Sequence, residues 1–417
     1  MEEQHGTTSC SCTRPNGGTS VIVLLLLTSA LVLGAVSSLR AQQNANPTSP
    51  GPVFRRVATY STEGLGSRSV GVGDFNGDGK LDLVVTNGCV DSSCQFGSVA
   101  VRLGNGNGTF GRAIISDPGN GAPNSMVVGD FKHDGKPDLG IASLCVPFFG
   151  SYLGEVHGLT GNGDGTFDNF FVSPTSGPCP YFVAAGDFNG DGNLDLAVTY
   201  FCEDSFNCMD GSVGVFLGLG NGNFQDPVFY QYGGGRPFFL ATGDFNGDGK
   251  PDLAVGDGSG TLTVMSGNGD GTFQIGLSFP FSFSFVVGDF NGDGRSDIVG
   301  ASSTNTLALL LGSADGTFQP AITINASPGA FAAADFNGDG KLDLAVLRPD
   351  GITVLLGNGH AEFHAVRGGD GIGGIFAVAV GDFNNDGKPD LAVDQDSRVT
   401  VLLNVYRGFR HETRAKK

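Results

Sequence analysis

The chain has 417 residues, with 23 Lys plus Arg against 42 Asp plus Glu and a formal net charge of -19. That balance argues against nucleic acid as a partner, because phosphate recognition needs a basic stripe. With 70 Gly and no Trp, the composition points to a turn-rich β protein, and the missing Trp weakens a sugar-stacking reading without removing it.

In chain order, the first element is a run of 16 mostly apolar residues, 21–36, preceded by Arg14 and followed by small residues. It reads as an export signal and is short for a membrane span. Ala41 marks a cleavage position before Gln42, with Ser37 after Ala35 as a second candidate. We therefore read 1–41 as a leader, 42–51 as a linker, 52–410 as one repeat domain and 411–417 as a basic tail. Cleavage places the domain outside the cytoplasm, secreted or in the envelope. Anchoring by one N-terminal membrane segment is the alternative.

Seven copies of one nine-residue loop follow, the first being Asp74-Phe75-Asn76-Gly77-Asp78-Gly79-Lys80-Leu81-Asp82. The others start at Asp130, Asp187, Asp244, Asp289, Asp335 and Asp382, at intervals of 56, 57, 57, 45, 46 and 47 residues. A near-fixed period of this size signals a repeat architecture. Oxygens at positions 1, 3, 5 and 9, with the position 7 carbonyl, can converge on one hard cation, and calcium suits an oxygen-only set. The candidate ligands in the first loop are Asp74, Asn76, Asp78 and Asp82, with the carbonyl of Lys80. The third loop offers Asp187, Asn189, Asp191 and Asp195 with Asn193, and the fourth Asp244, Asn246, Asp248 and Asp252 with Lys250. The fifth offers Asp289, Asn291, Asp293 and Asp297 with Arg295, and the sixth Asp335, Asn337, Asp339 and Asp343 with Lys341. The seventh offers Asp382, Asn384, Asp386 and Asp390 with Lys388.

Position 6 is Gly in every copy, where the chain must turn sharply, and a left-handed backbone is expected at position 4 in Gly77, His133 and Asn385. An EF-hand would need Glu at position 12, but Val85 and Val198 stand there. Metal-free Asx-turns are the bland alternative. Three Asp in each of seven loops account for half of the 42 acidic residues, so seven Ca²⁺ would bring the net charge from -19 to -5.

Each loop is flanked by short strands, as in residues 183–186 before the third and 196–198 after it. A third strand follows, as at 213–217, then a Gly/Asn turn, then a fourth strand opened by Phe. Four strands per repeat is a propeller blade, so the fold class is all-β, a seven-bladed β-propeller with four-stranded antiparallel blades. Phe75, Phe131, Phe188, Phe245, Phe290, Phe336 and Phe383 in the loops, and Phe110, Phe167, Phe224, Phe273, Phe318 and Phe363 in the fourth strands, are expected wedges between sheets. The seventh repeat lacks a fourth strand, and residues 54–60, which match 224–230, are expected to supply it.

These residues resemble the FG-GAP and VCBS-type repeat proteins, whose relatives include integrin α-subunit propellers. The resemblance covers about residues 52 to 410 and rests on the Asp-Phe-Asn-Gly-Asp-Gly-x-x-Asp loop and the stretch from Leu103 to Phe110. It implies structural calcium on one propeller face, held at positions 1, 3, 5 and 9. The second loop departs from it: Lys132 stands at position 3, leaving Asp130, Asp134 and Asp138 as a weak metal site that the ammonium itself can neutralise. About six calcium ions are expected. Unlike integrins, the chain carries no inserted adhesion domain between blades.

Six cysteines remain after the leader, and the expected pairs are Cys89 with Cys94, Cys202 with Cys208 and Cys145 with Cys179. No CxxC or His-containing cluster supports zinc. Catalysis has little support, since HExxH and GxSxG are absent and His360 and His364 lie in a turn and strand region. The expected function is a monomeric, calcium-stabilised module binding a protein or glycan. An extracellular polysaccharide lyase or hydrolase acting in the propeller opening, and a purely structural envelope protein, are the alternatives. The binding surface is expected opposite the calcium loops, on the enlarged connections 90–97, 146–154 and 203–211, with Phe148, Phe149, Tyr152, Phe201 and Phe206.

Overall fold

The computed structural model describes residues 23–24, 51–90, 96–118, 121–144, 154–173, 179–201, 211–231, 235–281, 284–302 and 305–406. Its first two strands are β1 (Val23–Leu24) and β2 (Phe54–Ser61). Blade one is β3 (Leu65–Gly73), β4 (Asp82–Cys89), β5 (Ser98–Gly104) and β6 (Phe110–Ser116). Blade two is β7 (Ala122–Gly129), β8 (Asp138–Leu144), β9 (Glu155–Gly161) and β10 (Phe167–Ser173). Blade three is β11 (Pro180–Gly186), β12 (Asp195–Tyr200), β13 (Ser212–Phe216) and β14 (Val228–Tyr230). Blade four is β15 (Pro237–Gly243), β16 (Asp252–Asp257), β17 (Thr261–Gly267) and β18 (Phe273–Pro280). Blade five is β19 (Phe285–Gly288), β20 (Asp297–Ala301), β21 (Leu307–Leu310) and β22 (Ile322–Ile324). Blade six is β23 (Ala330–Ala334), β24 (Asp343–Arg348), β25 (Gly351–Gly357) and β26 (Phe363–Gly369).

Blade seven joins the two ends of the domain. Its strands β27 (Ala377–Gly381), β28 (Asp390–Asp394) and β29 (Arg398–Asn404) are completed by β2, antiparallel to β29 with Phe54 opposite Asn404 and Ser61 opposite Arg398. The closing strand expected at 54–60 is therefore observed, one residue longer. On the other side of this sheet β1 pairs in parallel with β27, Val23 opposite Val378 and Leu24 opposite Ala379.

The radial arrangement explains the burial pattern. Inner strands are packed on both faces by neighbouring blades, so they are near-continuous apolar runs: β12, Asp-Leu-Ala-Val-Thr-Tyr, is buried throughout. Outer strands face solvent, and β18 is buried only at Phe273. The wedges lie where the sequence placed them, as seven ring pairs across blade boundaries. Phe75 meets Phe167 at 5.6 Å, and Phe131 meets Phe224 at 5.8 Å. The series continues with Phe188–Phe273, Phe245–Phe318, Phe290–Phe363 and Phe336–Phe54, and Phe383–Phe110 completes the circle. Edge-to-face contacts of this kind add to the area that each ring buries.

Two fourth strands differ from expectation. In blades three and five the opening Phe224 and Phe318 form only single bridges, to Gly218 and Gly312, and the strands proper start at Val228 and Ile322. Pro227 and Pro320 lie between bridge and strand, and proline has no N–H to give to a ladder.

Candidate metal centres

Each loop leaves the first strand of its blade and re-enters at the second, so its nine residues close a turn on one propeller face. In the first loop Asp74 accepts the N–H groups of Asp78 at 3.1 Å and Gly79 at 2.8 Å, and Asn76 Oδ1 accepts that of Asp78 at 3.0 Å. Asp78 accepts the Lys80 N–H at 3.0 Å. These are Asx-turn bonds, so the turn forms from the chain alone. They bring Asp74 Oδ1 and Asn76 Oδ1 to one shared donor, the Asp78 N–H, and each oxygen retains a second lone pair. The left-handed residues are as expected, with φ of 71° at Gly77, 55° at His133 and 56° at Asn385.

Position 9 is an anchor that the ligand pattern did not reveal. Asp82 is buried and accepts the Phe75 N–H at 2.8 Å through Oδ2 and the Gly104 N–H at 2.7 Å through Oδ1. The same two bonds recur at Asp138, Asp195, Asp252, Asp297 and Asp343, and at Asp390 with Asn404 in place of glycine. Gly104 has no room for a side chain, since an added Cβ would lie 2.1 Å from the Leu81 carbonyl oxygen. The signal was legible in the sequence as the Gly that ends the third strand in four repeats and follows it by two residues in blades three and five.

Burial pushes the position 9 carboxyls up, to about 6 for Asp82, Asp195, Asp252 and Asp297 and about 7 for Asp343 and Asp390. The two N–H bonds oppose this, and the carboxylates at positions 1 and 5 add to it. The three acids of a loop thus sense one another's charge. Among the described residues no group of three or more His, Cys, Asp or Glu is gathered at metal-binding spacing. The position 9 oxygens are held toward backbone N–H groups, leaving the two carboxylates of positions 1 and 5 with an Asn side chain and a carbonyl as the other donors named from sequence.

The donor chemistry fits a hard cation in six loops: Asp, Asn, Asp and Asp with a carbonyl at position 7, all oxygen. The position 7 side chains Lys80, Lys250, Arg295 and Lys388 reach the position 5 carboxylates Asp78, Asp248, Asp293 and Asp386 at 2.8, 3.9, 2.5 and 2.8 Å. These cations sit on Oδ2 of a carboxylate whose Oδ1 accepts the backbone N–H of the same position 7 residue. The second loop fits poorly, because Lys132 puts Nζ 3.8 Å from Asp134 Oδ2 where the other loops have an amide oxygen.

The loops are also tied to their neighbours. The Phe75 carbonyl accepts the Gly165 N–H of blade two at 3.0 Å, and Phe383 accepts that of Gly108 in blade one at 2.8 Å. Phe131, Phe188 and Phe290 accept equivalent bonds from Gly222, Gly271 and Ala361.

The FG-GAP-like repeat model matches residues 74–141, 203–255, 244–299, 289–346 and 335–393, and the FG-GAP repeat model matches 180–215. The chain belongs to the FG-GAP repeat family. No curated protein matches this FG-GAP propeller in sequence. Among solved structures it is similar to an Agrocybe aegerita lectin that recognises non-reducing terminal N-acetylglucosamine, at 19% identity and TM-score 0.54, covering 85% of this chain and 96% of that one. It is also similar to the BP39L lectin of Burkholderia pseudomallei, at 14% identity and TM-score 0.57 over 83% and 97%. The N-terminal part of BBS1, solved in complex with ARL6, matches at 10% identity and TM-score 0.56 over 84% and 97%. At these identities the likeness establishes the propeller fold.

Of the other expected residues, Cys89 ends β4 and the buried Cys179 precedes β11, while Cys94, Cys145, Cys202 and Cys208 lie outside the described residues. Each expected pair therefore has at least one member outside them. Phe148, Phe149, Tyr152 and Phe206 do too, and Phe201 is the described member of that set.

Proposed function

We propose that this protein is an exported, calcium-stabilised propeller that recognises a glycan or a protein partner on the face away from its acidic loops. The carrying observation is an acidic turn repeated seven times and all-oxygen in six, closed each time by a buried carboxylate, with a loop carbonyl in five of them bonding the next blade. Such loops use one face for cohesion and leave the other for recognition. The lectin and complex structures of like fold support recognition as the use of that face. Six Ca²⁺ would bridge the carboxylates at positions 1, 5 and 9, offsetting their mutual repulsion.

Elemental analysis after dialysis against calcium should give about six ions per chain. The calcium-loaded chain should then show saturable binding on a glycan array or to an extracellular protein panel, without degrading polysaccharide. Absence of bound calcium overturns the metal reading. Degradation of a polysaccharide would make the protein an enzyme, and no saturable ligand would leave it a structural component.

A further inference from the structure

The inner strands begin on the face opposite the loops, and their residues six before the loop Asp form a chain of contacts from blade to blade. Arg68 Nη1 donates to Asn124 Oδ1 at 3.2 Å, Asn124 Nδ2 donates to the Tyr181 carbonyl at 2.6 Å, and the Tyr181 ring meets the Phe238 ring at 5.0 Å. Phe201, which follows β12, adds a third ring, 5.1 Å from Phe238 and stacked on Tyr181 at 6.3 Å, with the Arg236 guanidinium 4.7 Å above it. All three rings are partly exposed, whereas the seven loop phenylalanines, Phe75 to Phe383, are buried. The Phe238 ring lies on bare backbone, since a Cβ added to Gly258 would come within 2.4 Å of it.

We propose that this shelf between blades three and four, Tyr181, Phe201 and Phe238 beside Arg236 and Asn124, binds one neutral pyranose unit of a glycan. The proposal rests on the recognition reading above and names its site. The rings of Tyr181 and Phe201 lie near-parallel at 26° with Phe238 turned across them, offering apolar surface to the C–H face of a sugar, and the exposed Arg236 guanidinium suits its hydroxyls. Charge decides for a neutral sugar. Arg68 and Arg236 each follow a residue bonded to a buried carboxylate: Ser67 donates to Asp394, and Gly235 N–H to Asp257 at 3.2 Å. The chain stays negative even with six Ca²⁺ bound, at -7 from -19 plus 12, which disfavours uronic or sialic acids.

The test uses the calcium-loaded chain on an array carrying neutral hexose and N-acetylhexosamine oligosaccharides beside uronic-acid and sialylated ones. The best neutral binder is then titrated against variants. Tyr181→Ala and Phe238→Leu should each weaken binding about tenfold, the loss of one good ring contact. Phe238→Leu keeps apolar volume, and unchanged melting curves confirm that it folds. Ile275→Ala, on the exposed outer strand β18, should leave affinity unchanged. Neutral-glycan binding that survives both shelf variants overturns this site and spares glycan recognition. Binding to acidic glycans only overturns the neutral-sugar site and spares glycan recognition, whereas binding to none overturns both.

Discussion

At position 9 of each loop a single carboxylate ties the turn to the third strand, so its role can be separated from the metal's. Asp252 accepts N–H groups from Phe245 and Gly267, and Asp252→Ala leaves both donors unsatisfied in a buried place. Each orphaned donor costs about 1–3 kcal/mol, so the variant should lose about 2–6 kcal/mol in urea unfolding even in EDTA. Asp244→Ala, in the same loop but only partly buried, should be destabilised chiefly when calcium is present. Equal losses for both variants in EDTA would contradict the division of labour. Sterics give a second case. A Cβ at Gly218 would stand 2.2 Å from the Leu194 carbonyl oxygen, and overpacking of that kind costs about 1–3 kcal/mol. Gly218→Ala should lower the melting temperature, whereas Gly373→Ala, with nothing within 4 Å, should not.

At the scale of elements, blades meet through Phe pairs and loop carbonyls rather than through shared strands. A double-mutant cycle on Phe75 and Phe167 should return a coupling of about 0.5–1.5 kcal/mol. A coupling near zero would mean that the rings only fill space. The wedges, the closing strand and the left-handed His133 and Asn385 were legible because repetition singles out each position. The shortened strands β14 and β22 were readable too, had Pro227 and Pro320 been weighed against the Phe-opened pattern. The cross-blade bonds from Gly165 to Phe75 were not, because they join backbone groups whose identity no side chain encodes. The aromatic shelf escaped for a related reason. Tyr181 and Phe238 occupy equivalent positions in successive repeats, where Asn124 and Arg68 break the pattern, and only the ring of blades makes them neighbours.

For the whole molecule, calcium and ring closure should act together, since the loop carbonyls that bond the next blade sit inside the candidate metal turns. Chelation is expected to lower the melting temperature by several degrees or more, because each vacated loop leaves three mutually repelling carboxylates. Lys132→Asn would restore an oxygen at position 3 of the second loop and should raise the calcium count by one in elemental analysis. An unchanged count would show that the loop is closed to metal for another reason. Deleting residues 52–61 removes β2, strips Phe336 of its Phe54 partner and opens the edge of β29. The truncated chain should melt lower or aggregate, and an unaltered melting curve would refute closure as a source of stability.

The seam also sets a clock. Thr59 and Thr400, bonded across it at 2.9 Å, are 341 positions apart in the chain. At roughly 5–20 residues per second, β2 emerges from the ribosome roughly 20–70 s before its partner β29 exists. Six blades can assemble from contiguous sequence in that interval, while the first strand of the domain stays an unpaired edge with Arg55 and Arg56 near its start. Completion of the circle is therefore the last event of folding, and a chain cut short near its C-terminus is left with an open ring.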